Sequence, residues 1–97
     1  MMALTQIDDR GLKTPIDLLD NEKIRLGTGN DLELYHDGSN SYIKDTGTGN
    51  LQIVSNQTNI QDADLSHYQA KFIDGGAVEL YHSGTKKFET TTDGVQV

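Results

Sequence analysis

Apolar and polar residues alternate along two separate stretches of the chain, and each stretch runs into a glycine. Leu32-Glu33-Leu34-Tyr35 precedes Gly38, and Val78-Glu79-Leu80-Tyr81 precedes Gly84. Alternation of this kind is typical of a β-strand whose two faces have different surroundings, and glycine favours a turn after the strand. The pattern therefore predicts two β-hairpins, with Gly38 and Gly84 as structural turn residues.

The two stretches belong to one longer repeat. The thirteen residues 31–43 return 46 positions later as residues 77–89, with Glu, Leu, Tyr, His and Gly kept in place. Such a repeat indicates one supersecondary unit copied along the chain, and units of this type seldom bury their apolar face alone. The repeat favours an extended, oligomeric structural or binding protein over an enzyme, whose active site is usually a single constellation.

The loop length of each hairpin decides which aromatic residues meet. A four-residue loop, residues 37–40, explains the repeat better than a two-residue loop at Asp37-Gly38. It places Tyr35 opposite Tyr42 and, in the second copy, Tyr81 opposite Phe88. Aromatic pairs across two strands stabilise a hairpin. We therefore expect these four residues to form two structural pairs.

The same register assigns side chains to faces. One face of the first hairpin takes Leu32, Leu34, His36 and Ile43, and the other takes Glu33, Tyr35 and Tyr42. Glu33 and Glu79 are the first candidates for a catalytic carboxylate pair, because glycosidases use two such groups. They alternate outward along their strands, however, and we expect them on a solvated face.

Shorter signals complete the predicted layout. Further strands are expected at residues 23–26, 51–54, 68–73 and 95–97, where Leu51-Gln52-Ile53 resembles Val95-Gln96-Val97. The polar run 56–64 is typical of a connection, and Thr14-Pro15 predicts a short helical turn. The resulting organisation is an N-terminal lead-in (1–22), a first β-hairpin repeat (23–54), a connecting segment (55–69) and a second β-hairpin repeat (70–97).

Composition narrows the function classes. Only 34% of the 97 residues are hydrophobic, so we expect apolar faces to be buried between subunits. The net charge of −7 repels phosphate backbones and anionic lipid, which argues against nucleic acid or membrane as a partner. No apolar run is long enough for a secretory or membrane-spanning segment, so no membrane insertion is expected.

Candidate chemistry is sparse. His36 and His82 are equivalent in the repeat, and in a three-fold assembly each would form a ring of imidazoles suited to a transition metal. We favour the simpler interpretation, in which the imidazole closes the hairpin by a hydrogen bond to the turn backbone, and we take His67 as exposed. Asp62-Ala63-Asp64 lacks the glycine and glutamate of a calcium-binding loop. No nucleophile or phosphate-loop motif occurs, so we expect neither catalysis nor a cofactor.

The first repeat, together with Gly47-Thr48-Gly49-Asn50-Leu51-Gln52-Ile53, resembles the repeat of tail-fibre and other virion appendage proteins of marine and cyanobacterial phages. The segments 7–12 and 18–25 are similar to the lead-in of those repeats, and residues 77–97, including Lys86-Lys87-Phe88-Glu89-Thr90-Thr91, resemble a closing repeat. The resemblance implies a homotrimeric, β-rich shaft in the virion that carries or forms a host-recognition element. No catalytic residues come with it.

The sequence is therefore interpreted as all-β, with repeated β-hairpins in an elongated, intertwined homotrimeric fibre of the β-prism or triple β-helix type. The expected function is a structural segment of a phage tail fibre or spike that contributes to attachment to the host surface. Its partners would be further copies of the chain, other virion proteins and host surface glycan. The alternative is a carbohydrate-binding module in which Tyr35, Tyr42 and Tyr81 stack on sugar rings; a polysaccharide-cleaving enzyme is a third interpretation.

Overall fold

The structure, a computed structural model, describes residues 14–97. Within this range the backbone forms eight β-strands in two antiparallel sheets and no helix, so the prediction of an all-β chain is confirmed. The chain divides into two compact units, the first ending at Leu51 and the second beginning at Gln52. No helix among the described residues is long and apolar enough to cross a membrane.

The first unit contains a three-stranded sheet. Its strands, in the spatial order β1-β2-β3, are β1 (Ile24–Leu26), β2 (Leu32–His36) and β3 (Ser41–Asp45). Ile24, Leu34 and Ile43 lie side by side across the three strands. The neighbouring row consists of Arg25, Glu33 and Lys44. Because side chains alternate along each strand, one face of this sheet is apolar and the other is charged.

The second unit contains a five-stranded sheet in simple sequence order. Its strands are β4 (Gln57–Gln61), β5 (Tyr68–Ile73), β6 (Val78–His82), β7 (Thr85–Thr91) and β8 (Gly94–Gln96). An apolar row runs across four of them through Ile60, Ala70, Leu80 and Phe88. The adjacent row is polar and contains Asn59, Lys71, Glu79, Glu89 and Gln96.

Strand pairing in the two units follows the 46-residue repeat. Ile24 pairs with Leu34 in the first sheet, and Ala70 pairs with Leu80 in the second. The pairs next to them along both ladders correspond in the same way, Arg25 with Glu33 and Lys71 with Glu79. The correspondence therefore includes β1 and β5, upstream of the hairpins themselves.

The hairpins differ at their tips. In the first, His36 pairs with Ser41, and the predicted four-residue loop is present. In the second, His82 pairs with Thr85, which leaves a two-residue turn. Ser83 and Gly84 have φ angles of 50° and 83°, as in the type I′ turn that suits a tight hairpin. A register shift between Leu80 and Tyr81 then leaves Lys87 as an additional residue in β7.

This difference makes the predicted pairing of Tyr81 with Phe88 wrong. Tyr81 lies opposite Lys86, and Phe88 lies opposite Leu80 on the apolar face. The shorter turn and the additional Lys87 together move Phe88 by one place relative to β6. The predicted pairing of Tyr35 with Tyr42 is confirmed.

Three other local predictions are also wrong. Residues 51–54 form no strand, and part of the predicted connecting segment forms edge strand β4. In β4, Thr58 and Ile60 lie on one face and Gln57, Asn59 and Gln61 lie on the other. The strand therefore has two different faces, although most of its residues are polar. Residues 14–20 form no helical turn, because their apolar side chains find little to pack against within residues 14–97: Leu18 and Leu19 are exposed. The lead-in segment 7–12 lies outside the described residues.

Neither sheet has a closed core within residues 14–97. Among the described residues, Ala70 is the single buried apolar side chain, whereas fifteen large apolar residues are exposed. Those on the apolar faces are between 43% and 66% exposed, namely Ile24, Leu26, Ile43, Ile60, Phe72, Leu80 and Val95. The apolar faces of both sheets therefore lack a covering layer within the described chain.

Candidate functional site

The charged face of the first sheet is organised around two tyrosines. The rings of Tyr35 and Tyr42 are stacked, with centroids 4.7 Å apart and planes inclined by 19°. The Lys23 ammonium group lies 4.5 Å from the centroid of Tyr35, within the range of a cation–π interaction. Tyr35 is therefore in contact with an aromatic ring of the neighbouring strand and with a cation from the residue before β1.

Glu33 lies next to these tyrosines and is buried, with 9% of its surface exposed. Its carboxylate accepts a hydrogen bond of 3.0 Å from Arg25 Nε, and Lys23 Nζ lies 3.7 Å away. The prediction that Glu33 lies on a solvated face is wrong, because two cations from β1 and the segment before it cover the carboxylate. Glu33 is thus a charge that the sheet itself neutralises.

The loop of the first hairpin is held together by one carboxylate. Asp37 Oδ1 accepts hydrogen bonds from the backbone N–H groups of Ser39 and Asn40, and Asp37 Oδ2 accepts one of 2.8 Å from the Tyr42 hydroxyl. These bonds, chiefly those from the backbone, lower the pKa of Asp37 to about 2. The same contact raises the pKa of Tyr42. Gly38 follows Asp37 with a φ of 101°, a conformation that favours glycine.

An equivalent cluster occupies the polar face of the second sheet. Lys71 Nζ lies 4.0 Å from the ring centroid of Tyr68 and 5.8 Å from that of Tyr81, and the two rings are 6.1 Å apart. The register shift between Ile60 and Gln61 brings Tyr68 to the same face as Lys71. Tyr81 therefore pairs with Tyr68, an aromatic partner that the repeat did not reveal because the first copy has no tyrosine there.

Carboxylates and a lysine extend this cluster along the sheet. Glu79 is half-buried and accepts a hydrogen bond of 2.7 Å from the Tyr81 hydroxyl, which lowers the pKa of Glu79 and raises that of Tyr81. Lys86 Nζ lies 2.9 Å from Glu89 and 3.4 Å from Glu79. The hydrogen bond to Glu89 is the main reason that the pKa of Lys86 is raised. As in the first sheet, the glutamates on this face are paired with cations.

The two equivalent histidines do not take the expected turn-closing role. His36 Nδ1 is 2.9 Å from the side-chain oxygen of Ser41, its partner across the hairpin, rather than from the turn backbone. His82 is exposed and lies opposite Thr85. Within residues 14–97 no group of three or more side chains suited to metal binding occurs.

The loop between β4 and β5 contains a cluster whose contacts were not predicted from the sequence. Asp62 accepts hydrogen bonds from the backbone N–H groups of Ser66 and His67, and its Oδ2 lies 3.1 Å from His67 Nδ1. These contacts, led by the backbone N–H of His67, lower the pKa of Asp62 to about 2. An aspartate, a serine and a histidine within six residues of one polar loop were the sequence signal from which this cluster could have been predicted.

This cluster does not have the arrangement of a catalytic triad. The Ser66 hydroxyl also lies 3.1 Å from His67 Nδ1, whereas a triad requires the serine and the carboxylate on opposite nitrogens of the imidazole. The His67 ring instead lies against Gly84 in the second hairpin turn. The cluster therefore folds the loop and supports the tip of the neighbouring hairpin.

No protein-family model matches the chain, and neither the curated proteins nor the solved structures include a significant match. The described residues form two sheets with the same general design. One face of each sheet contains tyrosines and ion pairs, and the other face is apolar and exposed.

Proposed function

We propose that this chain is a structural segment of a phage tail fibre or spike, that it assembles as a homotrimer with other virion proteins, and that it contributes to attachment to the host surface. The observation that carries the proposal is the absence of a closed core among the described residues: Ala70 is the single buried apolar side chain, and large apolar side chains of both sheets are exposed. A chain of this kind needs further copies to cover its apolar faces.

The free energy gained by burying the apolar faces between chains is of the same order as the free energy that association costs. Full burial of one aliphatic or aromatic side chain contributes roughly 1.5–3 kcal/mol. The seven half-exposed residues on the apolar faces would therefore contribute about 5–10 kcal/mol per chain. Association costs about 4–15 kcal/mol in lost freedom of motion. Burial on this scale is comparable to the cost of association, whereas a single chain leaves the same apolar surface in water.

The equivalent pairing of strands supports a repeated, extended design. The contacts of Arg25 with Glu33 and of Lys71 with Glu79 are the same step of the ladder, separated by one repeat. Copies of one supersecondary unit along a chain are typical of solenoids and fibres. The resemblance of the sequence to tail-fibre repeats of marine and cyanobacterial phages gives the proposal its biological setting.

The rival interpretation, a carbohydrate-binding module, is less well supported. Sugar rings stack on exposed aromatic faces, but Tyr35, Tyr42 and Tyr81 are half-buried and contact other aromatic rings in their own sheets. The Tyr42 hydroxyl donates a hydrogen bond to Asp37, and the Tyr81 hydroxyl donates one to Glu79. The structural role of these tyrosines thus accounts for their positions without a ligand. Binding of the chain to a glycan array that is lost on Tyr35→Ala, with unchanged folding, would favour the rival.

The test is the mass of the purified chain by light scattering, combined with two matched variants. We expect three times the chain mass of 10.7 kDa. Leu80→Asp places a charge on the apolar face and should dissociate the assembly, whereas Asn59→Asp places the same residue on the polar face of the same sheet and should not. A folded, monodisperse monomer at micromolar concentration would overturn the proposal.

A further inference from the structure

Within residues 14–97, the outer edge of β3 in the first sheet is unpaired, whereas the equivalent edge of β7 in the second sheet pairs with β8. In the second sheet, β8 pairs with the outer edge of β7, with Gln96 opposite Glu89. In the first sheet, β3 takes the place of β7, and within residues 14–97 no strand pairs with its outer edge. Unpaired N–H and C=O groups at such an edge are a template for another strand.

The register identifies which residues of β3 would meet that strand. Leu34 pairs with Ile43, as Leu80 pairs with Phe88, and the next pairs along the ladders are Glu33 with Lys44 and Glu79 with Glu89. Lys44 therefore occupies in the first sheet the place of Glu89 in the second. A strand equivalent to β8 would bring a counterpart of Gln96 next to Lys44.

The chain contains a segment with the matching sequence. Leu51-Gln52-Ile53 resembles Val95-Gln96-Val97, which contains most of β8. Placing Gln52 beside Lys44 would extend the polar row of the first sheet, and it would put Ile53 beside Ile43 on the apolar face. The segment is available for pairing, because it belongs to no strand, and Leu51 and Ile53 are 47% and 68% exposed.

We propose that the outer edge of β3 is completed by residues 51–53 of a second copy of the chain, which add an antiparallel fourth strand. This inference rests on the proposed assembly and specifies one of its contacts. A second copy is favoured because Ile53 lines an apolar recess of its own second unit together with Thr58, Ile60 and Phe72. The segment can keep that position while the first sheet of another chain docks on it.

Disulfide trapping tests this contact directly, because the chain has no cysteine. Directly opposed residues of antiparallel strands have Cα atoms about 4.5–5.5 Å apart, which is within the range that a disulfide spans. Lys44→Cys and Gln52→Cys chains are co-expressed and oxidised, and the cross-linked peptides are identified by mass spectrometry. We expect a covalent dimer that joins position 44 to position 52.

One positive and one negative control accompany the cross-linking experiment. The double variant Glu89→Cys/Gln96→Cys should close within one chain and shows that oxidation is efficient. Lys44→Cys with Ile53→Cys shifts the register by one residue and turns the second thiol to the other face. The matched pair should give at least about tenfold more mixed dimer than this control, since thiols held in register react at a high effective concentration.

The outcomes separate this inference from the proposed function. A mixed-dimer yield no higher than that of the shifted pair overturns the inference, even if light scattering still gives a trimer mass. Closure of a Lys44→Cys/Gln52→Cys double variant as a monomeric disulfide also overturns it, because the fourth strand then comes from the same chain. A monomer mass for the unmodified chain overturns both proposals.

Discussion

Glu79 and Glu89 lie directly opposite each other on β6 and β7, and the Lys86 ammonium group is within ion-pair distance of both carboxylates. Like charges placed opposite each other destabilise a sheet unless a cation lies between them. The register shift in β7 brings Lys86 to that position, so the bulge and the charge pair depend on each other.

Lys86→Gln should therefore lower the melting temperature, and the loss should be larger at low salt than in 1 M NaCl, because salt screens the remaining repulsion. Lys87→Gln is the matched control, since Lys87 is the adjacent exposed residue and its side chain makes no hydrogen bond within residues 14–97. Thermal unfolding at both salt concentrations measures the effect. Equal losses for the two variants would mean that the bridge contributes nothing.

Gly84 should tolerate alanine less well than Gly75, although both have positive φ angles, 83° and 69°. At Gly75 an added Cβ meets open space, so Gly75→Ala should cost the roughly 1–2 kcal/mol of a left-handed residue. At Gly84 the Cβ would meet the His67 ring, including Nε2 at 3.1 Å. Gly84→Ala should cost more, and His67→Ala in the same chain should recover the difference. Denaturant unfolding gives both values.

The tyrosine pairs make a prediction about coupling. Alanine substitutions at Tyr35 and Tyr42 should be non-additive, because their rings are stacked. Substitutions at Tyr81 and Tyr68 should also couple, whereas those at Tyr81 and Phe88 should add independently, since these two side chains lie on opposite faces of the sheet. Double-mutant cycles of unfolding free energy test this. Strong coupling between Tyr81 and Phe88 would mean that the second hairpin has the register of the first.

Acid should weaken the two loops that are built on aspartates. The pKa values of Asp37 and Asp62 are lowered from 3.8 to about 2, so the contribution of these groups is fully present above pH 4 and is lost as the pH falls toward 2. Asp37→Asn should make stability less dependent on pH in this window. Asp93→Asn, whose carboxylate makes no hydrogen bond within residues 14–97, should not. Unfolding curves between pH 2 and pH 5 distinguish the two variants.

Much of the fold was predictable because alternation and turn residues act locally. The alternation around Leu34 and Leu80 located β2 and β6, and the pairing of Tyr35 with Tyr42 followed from the loop length. Tyr81 was misassigned because similar sequences do not require equal turns: Ser83-Gly84 adopts a two-residue turn, whereas Asp37 organises a four-residue loop in the first hairpin.

The misplaced edge strand has a different cause. The segment 51–54 has a stronger strand signal than Gln57–Gln61, but pairing depends on which segment can reach a free sheet edge, and that is a property of the tertiary structure. The role of Asp62 was missed for a similar reason, since its hydrogen bonds arise only when the loop closes on His67.

The shorter turn of the second hairpin has a practical consequence. The additional Lys87 offsets one of the two residues missing from the turn, so the pairing of β6 with β7 stays shifted by one place. The pairing of Glu79 with Lys71 across β5 and β6 is nevertheless the same as that of Glu33 with Arg25. A change of length at the tip thus alters the pairing of β6 with β7 and leaves the pairing of β6 with β5 unchanged. Exposed loop tips are the preferred sites for tolerated insertions, so the loop at Ser39 is the position at which a foreign peptide can be displayed.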